Sequence, residues 1–223
     1  MFGTLYIVAT PIGNLQDVTL RAIEVLRTVD LVLCEDTRVG GKLLHHLGLK
    51  KSLKSYHEHS SVRDEQFILS ELENGKNIAL ITDAGTPGIS DPGNRLLQFL
   101  ANSPQPIVVA PIPGPSAVVA ALSVSGFPTD KFLFLGFPPH KNKRQKFFNE
   151  VAESEYTVCF YESCHRIKKC LGELAKVLDP KREILVAREL TKLHESLYRG
   201  TITQILSQPI PEKGEFVVVV RGV

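Results

Sequence analysis

Four times in its first half this chain runs through a short, unbroken apolar stretch and then breaks into a loop rich in glycine, proline or acidic residues. Leu5-Tyr6-Ile7-Val8-Ala9 leads into Thr10-Pro11-Ile12-Gly13-Asn14, and Leu31-Val32-Leu33-Cys34 leads into Glu35-Asp36-Thr37-Arg38. Ile78-Ala79-Leu80-Ile81 leads into the densest loop, residues 82–93, and Ile107-Val108-Val109-Ala110 into Pro111-Ile112-Pro113-Gly114-Pro115-Ser116. Continuous rather than alternating apolar runs mark strands covered on both faces. Segments with helical spacing follow: Leu20, Ile23, Val25 and Leu26; Leu96, Leu97, Phe99 and Leu100; Val118, Val119, Ala121 and Leu122. Strand, polar loop and helix in repetition predict an α/β fold with a mostly parallel sheet and helices on both sides. The loops then gather at the carboxyl edge of the sheet, where open α/β folds bind ligands. A plain surface turn is the alternative for 82–93, since these residue types dominate turns generally.

The chain has 223 residues, 43% of them hydrophobic, enough for one large core or two modest ones, and ordinary domain sizes favour two. The seam is expected at Ser125-Gly126-Phe127-Pro128-Thr129-Asp130, after a helix at 115–124. It gives an N-terminal α/β domain over 1–125 and a C-terminal α/β domain over 126–223. In the second half, strands are expected at 132–136, about 156–161, 183–188, near 194–199 and at 215–221, with a helix at about 164–178. Their close spacing implies more antiparallel pairing than in the first half.

A net charge of +2 and a pI near 8.3 exclude the global basic field of a DNA-coating protein. The start has no basic segment leading into a long apolar core, and no apolar run approaches the ~20 residues of a spanning helix. A soluble, cytoplasmic protein is expected. Cys34 and Cys159 sit in apolar runs and read as buried core. Cys164 and Cys170 lack the paired spacing of a zinc site, so neither metal nor disulfide is expected. No GxGxxG follows the first strand, which argues against a Rossmann dinucleotide site and against Rossmann-type methyltransferases.

Five segments together resemble one family. They are residues 4–38 (TLYIVATPIGNLQDVTLRAIEVLRTVDLVLCEDTR), LITDAGTPGISDPG, PIPGPSA, FYESCHR at 160–166 and ARELTKLHE at 187–195. In order and spacing they are similar to the bacterial small-subunit ribosomal RNA (cytidine-2′-O)-methyltransferases, a branch of the tetrapyrrole methylase superfamily. The resemblance runs from residue 4 to about 216. It departs at Cys164, where the family usually has proline, and at the end, where many members continue into a small C-terminal domain. It implies two α/β domains of tetrapyrrole methylase type facing each other, S-adenosyl-L-methionine folded in the cleft between them, and a homodimer. The implied reaction is 2′-O-methylation of a cytidine ribose. The implied partner is small-subunit ribosomal RNA or the small ribosomal subunit, with neither DNA nor membrane involved.

On that resemblance the cofactor-binding candidates are Pro11 and Gly13 in the first loop, Asp83, Gly85, Pro87, Ser90 and Asp91 in the third, Pro113, Gly114, Ser116 and Ala117 in the fourth, and Tyr161. Asp83 or Asp91 suits the ribose diol or the ammonium, and Ser90 and Ser116 offer hydroxyls. Free N–H groups where Pro113-Gly114-Pro115-Ser116 opens a helix suit a carboxylate, although Pro115 is also plain capping. Gly85, Gly88 and Gly114 let backbone approach a ligand closely.

A ribose hydroxyl is a poor nucleophile unless a base takes or polarises its proton. Glu35, Asp36, Glu162, Glu189 and His194 are the candidates, and Arg38 is a phosphate or carboxylate partner. Glu35, Asp36, Arg38 and Glu162 form the catalytic set. A loop ion pair is the alternative for 35–38, and Ser163 as N-cap beside solvated His165 and Arg166 is the alternative for 162–166. For RNA, Lys141, Lys143, Arg144 and Lys146 form a basic stretch beside Phe147 and Phe148, with Arg166 added. The competing reading is a solvated helix face with the two phenylalanines as core anchors. Lys50, Lys51 and Lys54 make a weaker cluster near Tyr56, His57 and His59. A superfamily methyltransferase acting on a tetrapyrrole or other small molecule, and a non-enzymatic RNA-binding module, are the alternatives on function.

Overall fold

A computed structural model describes residues 2–223, and the structural statements below refer to these residues. The chain divides into two compact units, one running to Ser116 and one from Ala117 to Val223.

The first unit is a five-stranded parallel sheet of β1 (Thr4–Val8), β2 (Leu31–Cys34), β3 (Ser52–Ser55), β4 (Ile78–Leu80) and β5 (Val108–Ile112), in the order β3-β2-β4-β1-β5. Helices α1 (Leu20–Thr28) and α2 (Thr37–His46) cover one face, where Ala22, Leu26, Leu43 and Leu44 pack on Val8, Val32, Ala79 and Ile81. On the opposite face α3 (Val62–Glu73) and α4 (Asn94–Ala101) set Ile68, Leu72, Leu96 and Leu100 against Leu5, Leu33, Ile78 and Leu80. Central strands β1 and β4 send their connections in opposite directions, so their carboxyl ends bound the crevice at the switch in strand order.

The runs β1, β2 and β4 are covered on both faces as their unbroken apolar character requires. The run at 107–110 is not. β5 is an edge strand, and Val108 and Val109 stay 59% and 40% exposed. β3, α2 and α3 carry no signal that the sequence reading used.

The second unit pairs β6 (Phe132–Phe134) parallel to β7 (Thr157–Ser163) and then continues antiparallel through β10 (Glu215–Val220), β8 (Glu183–Arg188) and β9 (Ser196–Thr201), numbered in chain order. The expected antiparallel character is present. One face is packed by α6 (Arg144–Glu153), α7 (Ile167–Val177) and α8 (Ile202–Leu206). The other is packed by α5 (Ala117–Ser123), whose Val118, Ala121 and Leu122 meet Leu185, Val217 and Val219. That packing puts α5 in the second compact unit, so the division falls before this helix and not after Ser125.

Candidate active site

In the first unit the loops leaving neighbouring parallel strands are tied to one another at the carboxyl edge. Thr10 and Gly85 exchange backbone hydrogen bonds (Thr10 N–H to Gly85 O, 2.8 Å; Gly85 N–H to Thr10 O, 3.1 Å), and the Thr10 hydroxyl donates to Thr82 O at 3.1 Å. The Thr86 hydroxyl donates to Pro115 O at 3.2 Å. Gly85 has φ of +89°, a region that side chains resist, and its exchange with Thr10 depends on that turn. Gly114 approaches the β1 end so closely that a Cβ there would lie 3.0 Å from Ala9 Cβ. Backbone thus comes forward where side chains would fill the space. Pro113, Gly114, Gly13, Asp83 and Ser90 are exposed, Asp91 and Ser116 are partly buried, and Pro11 and Pro87 are buried within the loops.

Beside this bracket, over the ends of β2, β3 and β4, lies an open cleft of about 530 Å³ lined by Glu35, Asp36, Thr37, Arg38, Ser55, His57, His59 and Asp83. Its carboxylates differ in character. Arg38 forks onto Asp36 (Nη2 to Oδ2 2.6 Å, Nε to Oδ1 3.0 Å) and holds it down at about 2, so Asp36 is a poor base. Glu35 forms no ion pair with a basic side chain, and desolvation, with the Asp83 charge next in weight, raises its pKa while His57 opposes. Asp83 Oδ1 accepts the Asp36 N–H at 3.3 Å. Burial also pushes Asp91 up to about 6; the Thr82 hydroxyl opposes this, while Glu35 and Asp83 add to it. Glu35 and Asp91 are therefore the two carboxylates tuned toward neutral pH.

The remaining candidates belong to the second unit, and several of them are corrected by it. Glu162 is fully buried: its Oε1 takes Arg166 Nε at 3.0 Å and the Ser163 N–H at 2.8 Å, and Arg144 Nη2 lies 3.5 Å from Oε2. Closed off from water and bracketed by two guanidiniums, it is an ion-pair hub and no base. Arg144 is no surface arginine either. It is 5% exposed, holds Glu173 at 2.7 Å and the Pro139 carbonyl at 3.0 Å, and stacks over Phe148. Arg166 points its Nε at Glu162 and the Ser163 hydroxyl while its Nη1 is buried without a hydrogen-bond partner, and α7 begins at Ile167, so Ser163 is not its N-cap. Lys141, Lys143 and Lys146 remain exposed, which leaves three of the five RNA candidates at the surface.

Glu189 is held low, because the Lys192 ammonium and the Glu215 N–H outweigh its burial. His194 is exposed and gives its carbonyl to Arg188. Tyr161 packs edge-on to Phe134, with Phe137 on its other flank at 5.3 Å. Lys51 reaches the Val29 carbonyl and Lys54 pairs with Asp64, which dissolves the weaker basic cluster. Cys34 and Cys159 are buried, and desolvation raises both thiols, to about 11 and about 12. Among the described residues no group of three or more His, Cys, Asp or Glu is arranged to hold a metal, and no helix is long and apolar enough to cross a membrane.

The family described as tetrapyrrole (corrin/porphyrin) methylases matches residues 4–206. The chain belongs to that family. Within these methylases it is 48% identical to the ribosomal RNA small subunit methyltransferase I of Synechocystis sp., over 99% of this chain and 79% of that protein. It is 41% identical to the protein of the same name from Thermotoga maritima, over 99% of each. Solved structures share the fold at low identity. The methyltransferase CobJ superposes with a TM-score of 0.74 at 18% identity, covering 99% of this chain and 95% of that one. Cobalt precorrin-4 methyltransferase CbiF gives 0.71 at 17%, covering 98% and 94%.

Of the cleft lining, the sequence reading named His57 and His59 only as neighbours of a basic cluster and missed Ser55. They sit on and just after a short edge strand with no apolar run to announce it, and the signal available was two histidines flanking Glu58 after Tyr56.

Proposed function

We propose that this methyltransferase moves a methyl group from S-adenosyl-L-methionine to the 2′-hydroxyl of a cytidine in small-subunit ribosomal RNA. The observation that carries this reading is identity of 41–48% over nearly the whole chain to proteins named ribosomal RNA small subunit methyltransferase I.

The first-unit loops fit the cofactor: Gly114 brings backbone forward where a Cβ would press on Ala9, Gly85 holds its turn at positive φ, and Asp83 offers carboxylate oxygens at the edge of that bracket. Asp83, Gly85, Ser90, Asp91, Pro113, Gly114 and Ser116 would hold it. When bound, it supplies a methyl group activated by a positively charged sulfonium. Glu35 would accept the 2′-hydroxyl proton, a role that its raised affinity for a proton suits. Arg38, tied to Asp36, keeps a second carboxylate ionised without competing for the proton. Positioning of the reacting atoms supplies the rest of the acceleration. Lys141, Lys143 and Lys146 form the phosphate-contacting set. Exposed Val108 and Val109 on the edge strand support a homodimer, and a ribosomal substrate supports a cytoplasmic setting free of DNA and membrane partners.

Incubation with methyl-labelled S-adenosylmethionine and small ribosomal subunits, bare ribosomal RNA or uroporphyrinogen tests the assignment. Label in a 2′-O-methylcytidine of the RNA is the expected result. Label only in the porphyrinogen would replace the reading with the small-molecule one, and label in neither, with cofactor bound, would leave a binding module.

A further inference from the structure

His57 lines the same cleft as Glu35. Its Nδ1 accepts the His59 backbone N–H at 3.2 Å, and its own backbone N–H donates to the Ser60 hydroxyl at 2.9 Å. The two imidazoles meet edge to face, with centroids 6.2 Å apart. An imidazole whose Nδ1 accepts a hydrogen bond presents its N–H at Nε2. His57 therefore offers one N–H donor in a cleft whose other lining groups, Arg38 apart, are carboxylates, hydroxyls and the second histidine.

The loop that carries it is mounted on a buried charge. Glu65, 2% exposed, accepts from the Tyr56 hydroxyl at 3.3 Å and from Arg95 Nε at 2.8 Å, while Arg95 Nη1 donates to the Ser60 carbonyl at 2.8 Å. Tyr56 and Ser60 bound the histidine segment, so a single carboxylate fixes both of its ends. A buried carboxylate is costly unless fully paired, and this one orders a short exposed loop at the cleft wall. Rigid mounting of that kind serves a side chain whose direction matters.

We infer that the cleft receives the target nucleotide and that His57 is a specificity-determining residue which reads its base. The proposal rests on the RNA reading above. Cytosine presents an N4 amine donor beside the N3 and O2 acceptors, whereas uracil presents an O4 acceptor and an N3–H donor. Carboxylates accept from the cytosine amine but serve neither acceptor, and the His57 Nε2–H does. Against uracil, the same N–H faces the N3–H and the carboxylates face O4. A base turned out of its stack exposes this edge to a pocket. Glu65 and Arg95 are positioning residues, acting through His57.

The test uses small subunits reconstituted from transcribed RNA. The wild-type product is mapped by mass spectrometry, and the methylated cytidine is then replaced by uridine. His57→Asn carries an amide near the Nδ1 position and His57→Gln carries one near Nε2. On cytidine, H57N is expected to lose about tenfold in kcat/KM, the scale of one hydrogen bond, and H57Q to lose less. Because the glutamine amide can turn to present oxygen, H57Q is also expected to narrow the preference for cytidine over uridine. Glu65→Gln is expected to lower kcat/KM but to add no further loss to H57N, whereas a purely structural role would add in full. S-adenosylhomocysteine affinity stays unchanged in all three. Equal behaviour of H57Q and H57N, or an unaltered cytidine-to-uridine ratio in both, would overturn the inference alone. A wild-type protein that binds S-adenosylhomocysteine but methylates no cytidine would remove the substrate reading, and this inference with it.

Discussion

Glu35 and Asp36 are adjacent in sequence and opposite in chemistry. Asp36 is tied to Arg38 and ionised well into acid, while Glu35 is partly desolvated and faces Asp83. Glu35→Gln is therefore expected to cut kcat by about 10²-fold or more, the usual contribution of a general base, with S-adenosylhomocysteine affinity retained. The wild-type rate should rise with pH through a midpoint above that of a free glutamate, and E35Q should lose that limb; an unchanged profile would exclude Glu35 as the base. Asp91 bears on stability. Its carboxyl goes from 3.8 to about 6 through burial, so the folded state holds the proton more tightly than the unfolded one. Stability then falls as pH climbs through this window and stays reduced above it. Asp91→Asn should gain about 1 kcal/mol over wild type at pH 7.5, a figure discounted for partial exposure. The gain should disappear near pH 3.5 in urea titrations.

Arg144 shows how much of this was legible. It shares helical spacing with Phe147, Phe148 and Val151, so its place on the buried face of α6 was readable from the sequence. Its partners Glu162 and Glu173, distant in sequence, were not.

At the scale of elements, the covered strands β1, β2 and β4 were legible because an apolar run without alternation has few other homes. β3 was not, since Ser52-Leu53-Lys54-Ser55 is a polar edge strand. α2 was hidden by Gly40-Gly41, and the structure supplies the reason: a Cβ at Gly40 would lie 3.0 Å from Cys34. The seam was misplaced because Gly126 and Pro128 punctuate the chain after α5, while the apolar face of α5 belongs to the following sheet. The loop bracket at the first sheet's edge gives one prediction. Gly114→Val must push against Ala9 and the β1 end, so S-adenosylhomocysteine affinity should fall by more than tenfold in calorimetry. A stability loss of about 1–3 kcal/mol should accompany it, as for overpacking elsewhere.

The α6 region gives another. Lys141, Lys143 and Lys146 changed together to alanine should raise KM for ribosomal subunits and flatten the salt dependence of RNA binding by up to about three units of slope, with the folded state intact. Arg144→Ala should do the reverse: it leaves Glu162 and Glu173 short of a partner and destabilises by about 3 kcal/mol. If R144A were stable and shifted the salt slope, the assignment of its charge to the interior would fail.

For the molecule as a whole, the sequence motifs reach the chemistry of one chain and stop short of its assembly, because an apolar run at an edge reads the same as one at the centre. The structure separates the two cases. Val108 and Val109 point to opposite faces of β5 by the alternation of a strand, and both are exposed. A bare apolar edge invites pairing with another chain unless charge or proline blunts it. Proline is present only at Pro111, and no charge lies within β5. Two-fold symmetry is the commonest closed solution, since one patch then covers its own copy. Light scattering at low micromolar concentration is expected to give about twice the 24.7 kDa of one chain. Val109→Asp places a charge on this edge without touching the cleft, and it should halve the observed mass. Wild-type protein that stays at the single-chain mass with S-adenosylhomocysteine bound would overturn the dimer. A dimer that V109D leaves intact would move the interface away from β5.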